Sequence, residues 1–319
     1  MTNILLSGAN GRMGRMTAEC VNERDDCKII AGIDILKTNY SDFPIFSDFS
    51  EVNVIPDVCI DFSNPNLLVP MLNYAKENHI PLVIATTGYS NEQISLIKNT
   101  SKEIPIFFSW NMSMGINLLI KLSKIAAAFL GEQFDIEVVE AHHSTKIDAP
   151  SGTALMIADA INDTFDNSKN YIYDRHSIYR KRNKKEIGIH SIRGGTITGE
   201  HEVIFAGKDE TLTISHNAIS RSILATGSIN AANFIIKQKP GMYEMSDLIW
   251  INLSGSALLE EFIYIIMWWI QNCWRSRNGN LIFKLSDNCI SLWKSNIFNE
   301  MSLWKKVCKK SANCDKIEI

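Results

Sequence analysis

Ile4-Leu5-Leu6-Ser7-Gly8-Ala9-Asn10-Gly11-Arg12-Met13-Gly14 runs an apolar strand candidate straight into a glycine-rich turn, after which Arg12–Asn22 carries apolar residues at helical spacing. Glycines at such a junction let the backbone turn tightly and approach an anion, whose charge is met by free N–H groups and the positive end of the helix dipole. The spacing is Gly-x-x-Gly-x-x-Gly, with Asn10 where the commoner pyrophosphate-binding fingerprint has its second glycine. Position makes the motif specific. Asp34 lies 20 residues past Gly14, at the end of the second strand candidate, where a carboxylate accepts hydrogen bonds from ribose hydroxyls and repels a 2′-phosphate. The reading is a dinucleotide site built from Gly8, Ala9, Asn10, Gly11, Arg12, Met13 and Asp34. It takes NADH or NADPH with a lean toward NADH, since Lys37 could still accommodate the additional phosphate of NADPH. The alternative is a glycine-rich turn without a ligand.

Outward from this loop, the first 112 residues alternate short apolar runs with helical stretches. Ile4–Ser7, Lys28–Ile33, Val58–Phe62, Leu82–Ala85 and Ile106–Ser109 read as strands, and Arg12–Asn22, Asn66–Asn78 and Asn91–Ser101 as helices. That rhythm belongs to an α/β protein with a doubly wound parallel sheet, so a Rossmann-like dinucleotide-binding domain is expected over residues 1–112. Ala85-Thr86-Thr87-Gly88 and Ser109-Trp110-Asn111-Met112 follow later strands, at the edge where such sheets place their ligand crevice. Small and hydroxyl-bearing residues there permit close approach to a nicotinamide ribose.

From about residue 113 the rhythm changes. A helix (Gly115–Leu130), a strand (Ile136–Ala141), a polar loop and a helix (Gly152–Asp163) precede a basic stretch, Tyr179 to Lys185, read as a solvated loop. Three strand candidates follow, Ile187–Arg193, Ile197–Phe205 and Thr211–Ser215, and then a helix, Ser220–Ile236. Long strands gathered after one helix pair suggest an α+β domain with a mixed sheet over residues 113–219. Its final helix is expected to return to the first domain and complete it over about 220–248.

Composition bounds the partners. The chain has 319 residues, 45% of them hydrophobic, which suits roughly two domains with cores of their own and excludes a disordered or fibrous protein. A net charge of −3 provides no cationic field for nucleic acid or an anionic membrane. The charge is unevenly shared: residues 1–248 hold 23 basic and 29 acidic side chains, residues 249–319 hold 9 and 6. Anion sites must therefore be local. Seven cysteines with no Cys-x-x-Cys pair suggest neither a disulfide framework nor a zinc site. The first residues show no basic segment followed by an apolar run, so a cytoplasmic location is expected. Phe262–Ile270, the longest apolar run at 9 residues, falls short of the ~20 that a spanning helix needs, and no membrane span is expected.

The chemistry concentrates in Glu140-Ala141-His142-His143-Ser144-Thr145-Lys146-Ile147-Asp148-Ala149-Pro150-Ser151-Gly152-Thr153-Ala154. Ser151-Gly152-Thr153 begins a helix and offers unpaired N–H groups at a positive dipole end, a place for a carboxylate. A Lys beside it implies a small acidic substrate, and a His titrating near neutrality supplies a proton donor. Metal binding is the competing reading, since His142, His143, Asp148 and Glu140 are all potential ligands. Adjacent side chains on an extended segment point to opposite faces, which argues against two consecutive His sharing an ion. No metal is expected.

These residues together resemble the 4-hydroxy-tetrahydrodipicolinate reductase family, also called dihydrodipicolinate reductases, over about residues 3–248. Glu140 to His143, Lys146 and Asp148 to Ala154 look like its signature. Asp61-Phe62-Ser63, Thr86-Thr87-Gly88, Asn111, Gly199-Glu200-His201 and Ser215-His216 also fall where the family has similar residues. The resemblance implies hydride transfer from NAD(P)H to the ring of a cyclic dicarboxylate, in the diaminopimelate route to lysine, by a homotetramer whose second domain binds substrate and builds the assembly. It implies that Gly8 to Met13, Asp34, Ala85 to Thr87 and Ser109 to Met112 hold the nucleotide. His142 becomes the proton donor, Lys146 a second proton donor and carboxylate partner, and His143, Gly152, Thr153 and Arg193 substrate ligands. Asn10, Ala85, Trp110 and Met112 depart from the family's usual residues and touch cofactor fit more than chemistry. Other readings are a different two-domain dehydrogenase, acting on an amino acid or sugar, and a non-catalytic nucleotide-binding module.

Residues 249–319 have no place in that family and form an atypical C-terminal extension. It holds 6 of the 7 Trp and 4 of the 7 Cys, but no Pro or His. One reading is a fused interaction segment using Leu258–Trp269, Trp293 and Trp304; the other is a chance extension without a selected fold. Scattered Trp and Cys without sustained periodicity favour the second.

Overall fold

The computed structural model describes residues 1–248 apart from Asn39 and Ser41; the extension and the expectations placed on it lie outside the described residues. The chain begins β1 (Thr2–Ser7), α1 (Arg12–Asn22), β2 (Cys27–Ile33), β3 (Ile45–Phe46), β4 (Val58–Asp61), α2 (Leu68–Glu77), β5 (Leu82–Ile84), α3 (Asn91–Thr100) and β6 (Pro105–Phe108). In β1 the alternation is plain: Ile4 and Leu6 pack on one side with α1, and Leu5 on the other with α2 and α3. A strand buried on both faces is what a parallel sheet with helical crossovers requires. Ser90 and Gln93 form a capping box that starts α3. Helix α2 starts two residues later than expected, because Asn64 caps a separate turn, Pro65–Leu67, ahead of it.

The chain continues through α4 (Met114–Leu130), β7 (Asp135–His142), α5 (Gly152–Asp163), β8 (Asn170–Ile172), β9 (Glu186–Arg193), β10 (Gly199–Ala206), β11 (Thr211–Ala218), α6 (Ser222–Ile235) and β12 (Gly241–Tyr243). The first sheet has the order β12-β6-β5-β4-β1-β2-β3, all parallel. The second, β11-β10-β7-β9-β8, is mixed, with β10 antiparallel to both its neighbours. Helix α6 does return to the first sheet: Ile229, Ala232 and Ile235 join the core with Ile4, Val58, Val83 and Phe107. Strand β12 then pairs with β6. Strands β3, β8 and β12 were not expected; at two or three residues each they are too short to show a period.

A third core lies on one side of the mixed sheet, where Val138, Ile189, Val203 and Phe205 meet Leu119 and Ala127 of α4 and Ile157 and Ile161 of α5. Each such buried Val, Leu, Ile or Phe side chain contributes about 1.5–3 kcal/mol. By length and composition, Met114–Gln133 could cross a membrane, but its inner residues are docked on this sheet, with Leu118, Leu122, Ile125 and Phe129 left exposed. The basic stretch, residues 179–185, is an exposed loop, as expected, and its cations also pair with acids of the sheet. Arg182 donates to Glu137 (2.9 Å) and Asp135 (3.0 Å), Arg180 pairs with buried Glu186 (2.6 Å), and Arg175 reaches both Glu137 and Glu186. Acids on β7 and β9, out of phase with the core positions, pull the stretch onto the sheet.

Candidate active site

In the first sheet the strand order reverses between β4 and β1, the place where open α/β sheets bind ligands. Register brings the ends of three strands together there, with Ser7 opposite both Ile33 and Asp61. Gly8 takes φ +77°, and a Cβ on it would stand 2.6 Å from the Phe62 carbonyl oxygen; one on Gly14 would stand 2.2 Å from the Gly8 oxygen. Only glycine lets the loop lie this close to its strand and helix. Asp34 accepts from the N–H groups of Asn10 (2.9 Å) and Leu36 (3.0 Å). The Asn10 amide reaches back to the Leu36 carbonyl, so the residue that replaces a glycine ties the loop to the end of β2. Tyr40 donates to the Ala9 oxygen (2.9 Å) beneath the Arg15 guanidinium.

Helix α1 has no acid in its first turn and no side-chain cap from Gly11, leaving its N–H groups for an anion beside exposed Arg12 and partly buried Met13. The cradle fits a dinucleotide phosphate, and the buried Ser7 hydroxyl at the same edge has no hydrogen-bond partner among the described residues. Thr87 is exposed and Ala85 half-buried. Ser109 bonds the Asn111 carbonyl (2.9 Å), and Trp110, 45% exposed, stands edge-on to Phe108. Met112 departs from its expected place: its side chain, 2% exposed, belongs to the core, and its carbonyl packs against Gly227 of α6. Lys37 is paired with Glu51 at 3.0 Å.

At the second sheet a cavity of about 200 Å³ gathers His142, His143, Lys146 and Thr153 with Asn111 from the first sheet's edge. Asn111 donates to the Thr153 hydroxyl at 3.0 Å, joining the nucleotide edge to the start of α5. Ser151 caps that helix by taking the Ala154 N–H (3.1 Å), and the N–H groups of Gly152 and Thr153 stand at its positive end. His142 closes β7, with Nδ1 2.6 Å from Glu140 Oε2. Burial pushes its imidazole below the ordinary value, against the pull of Glu140. His143 bonds Thr145 (2.8 Å), and Lys146 pairs with Asp148 (2.7 Å). Strand β7 ends at His142, and both His142 and His143 line the cavity, with their Nδ1 atoms turned to different partners, Glu140 and Thr145. Among the described residues, no three His, Cys, Asp or Glu side chains are gathered as a metal ion would need.

Arg193 also departs from expectation. Its guanidinium forks onto Glu140 (2.8 Å to each oxygen) and donates to the Asp148 and Ile192 carbonyls, behind His142 rather than on the cavity. The cavity's cation without an acidic partner among the described residues is Arg221, just before α6, which was not foreseen. His201 and His216, quoted only as family-like positions, also line the cavity; they face each other across β10 and β11, and His201 also faces Glu140 on β7. Burial, with His142 beside it, pushes His201 down to about 4.

Comparison with known proteins agrees along the described length. The family profile "Dihydrodipicolinate reductase, N-terminus" matches residues 2–112, and "Dihydrodipicolinate reductase, C-terminus" matches 115–249. The 4-hydroxy-tetrahydrodipicolinate reductase of Caldanaerobacter subterraneus subsp. tengcongensis is 50% identical over 249 residues, covering 78% of this chain and 98% of the relative. That of Clostridium tetani is 47% identical over 249 residues, covering 78% and 97%. A solved structure of dipicolinate-bound dihydrodipicolinate reductase from Paenisporosarcina sp. TG-14 has the same fold, with a TM-score of 0.65 at 23% identity over 76% of this chain and 97% of that one. With both profiles matched in order and relatives aligned almost end to end, the chain belongs to the dihydrodipicolinate reductase family.

Proposed function

We propose that this chain reduces 4-hydroxy-tetrahydrodipicolinate to tetrahydrodipicolinate with NAD(P)H and one proton, the 4-hydroxyl leaving as water and the cofactor as NAD(P)+, in the diaminopimelate route to lysine. The Asn111–Thr153 hydrogen bond carries the reading, because it sets the nucleotide edge against the carboxylate-binding start of α5, on a cavity that also holds His142, His143 and Lys146. Gly8 to Met13 with Asp34, Ala85 to Thr87 and Ser109 to Asn111 would hold the dinucleotide, which supplies the hydride when bound. One substrate carboxylate is met by the Gly152 and Thr153 N–H groups and by Lys146, whose partly exposed Asp148 partner is readily exchanged. His143 and Arg221 receive the second. His142 delivers a proton from Nε2, with Lys146 as a second donor. Holding ring and nicotinamide edge in register supplies much of the rate.

The finer assignments follow from the same observations. NADH is favoured over NADPH because Lys37 is engaged by Glu51 while Asp34 stands at the ribose position. The two-domain division is residues 1–112 with 220–248, and residues 113–219. A homotetramer is part of this reading, assembled through the open face of the mixed sheet away from α4 and α5, where Glu200, Thr213 and Ser215 are exposed. No nucleic acid or membrane partner is assigned, and the location is cytoplasmic, in keeping with the free thiols of the three cysteines among the described residues, Cys20, Cys27 and Cys59. The test is NADH oxidation on adding freshly generated 4-hydroxy-tetrahydrodipicolinate to the folded full-length protein. Turnover is expected; its absence, with NADH still bound, overturns the reading.

A further inference from the structure

Glu140 lies fully buried behind the cavity with both oxygens engaged. Oε2 takes His142 Nδ1 (2.6 Å) and Arg193 Nη1 (2.8 Å); Oε1 takes Arg193 Nη2 (2.8 Å) and the Ser151 N–H (3.1 Å). Burial disfavours its charge, but the Arg193 fork and the other donors outweigh it and hold the carboxyl down to about 2. An ionised carboxylate only accepts hydrogen bonds, so the proton between Glu140 and His142 sits on Nδ1. The transferable proton is then left to Nε2, which packs against Gly199, where a Cβ would come within 3.1 Å of it. The backbone enforces this arrangement. Glu140 and His142 are two apart on β7 and share a face, and the register sets Arg193 of β9 opposite His142.

We infer that Glu140, clamped by Arg193, is a positioning residue for His142, fixing its tautomer and ring plane so that the proton it delivers stands on Nε2. The inference rests on the assignment of His142 as proton donor. Glu140 and Arg193 also explain each other. A buried acid without the fork would be neutral and could offer a proton to Nδ1, and a buried guanidinium without the acid would repel an imidazolium. The charged and titratable groups around His142 are Glu140 on its own strand, Arg193 on β9, His201 on β10 with ring centroids 5.2 Å apart, and His143 and Lys146 in the following loop.

Glu140→Gln tests this, since the amide keeps the shape but can donate where the carboxylate only accepts. The expected result is a fall in kcat of roughly 10²-fold, with little change in KM for the dicarboxylate. The alkaline limb of the rate profile moves to lower pH, and 15N spectra of His142 show loss of the Nδ1–H tautomer. Glu140→Asp restores part of the rate. The double variant with His142→Ala is no slower than His142→Ala alone, within roughly twofold. Should Glu140→Gln fail to fold, Arg193→Lys, which keeps the charge without the fork, carries the same expectations. Wild-type kcat, pH profile and tautomer in Glu140→Gln, while His142→Ala is crippled, would overturn the inference. So would a loss confined to KM, or additive losses in the double variant. An active His142→Ala would instead remove the proton-donor assignment beneath it.

Discussion

His201 couples the site to acid stability with a sign and size that follow from its surroundings. The imidazole is 5% exposed, Nε2 lies 3.2 Å from Ser151 Oγ, and Nδ1 has no partner among the described residues. Burial, with His142 adding to it, pushes the group down to about 4, against ~6.5 in an unfolded chain. Between those values the unfolded chain binds a proton that the folded chain refuses. The stability is therefore complete above pH 6.5 and is lost as pH falls toward 4. A separation of ~2.5 units at 1.36 kcal/mol each amounts to about 3 kcal/mol. At 2–4 °C per kcal/mol for a body of this size, that is a fall in Tm of roughly 6–12 °C. His142 and His216 are also lowered by burial, so the informative quantity is a difference between proteins. Thermal melts from pH 7 to 4 should show His201→Gln, which can still bond Ser151 but does not titrate, losing less on acidification than wild type. Parallel curves would refute the reasoning.

The site makes further commitments. His142→Ala should lower kcat by about 10²–10⁴, or roughly 3–5 kcal/mol of barrier, measured as NADH oxidation beside a melt showing that the protein is folded; normal turnover would withdraw the proton donor. Lys146→Ala should damage both kcat and substrate KM, and an effect on NADH affinity alone would point to another role. Asp34→Ala should weaken NADH more than NADPH in a fluorescence titration, and the reverse order would sink the ribose argument.

Helices α1 and α5 run over the residues expected of them, Arg12–Asn22 and Gly152–Asp163, because each has a marked start: a glycine loop in one, Ser151 in the other. Strands β3, β8 and β12 escaped because pairing partners, not their own residues, hold them in sheets. Within the site, His142, His143, Lys146, Gly152 and Thr153 were legible because one loop carries them. His201 and His216 reach the same cavity from β10 and β11, as strand register dictates, and Arg221 reaches it from the start of α6. Glu140 was legible as a potential metal ligand and as part of the family signature, and its spacing of two from His142 on a strand already put both on one face.

By itself the sequence determined the elements whose causes are local: the glycine loop and acid of the nucleotide edge, the period of the parallel strands, and the capped start of α5. Only the tertiary structure decided where long side chains go. Arg193 looked like a substrate ligand and instead clamps Glu140, because a buried carboxylate draws the nearest fork of donors, and that nearness comes from the pairing of β7 with β9. Met112 likewise sits in a segment that faces the crevice, yet packs its side chain inward beneath α6, where Gly227 leaves room for its carbonyl. Direction across a fold is set by what lies opposite, and no local pattern records that.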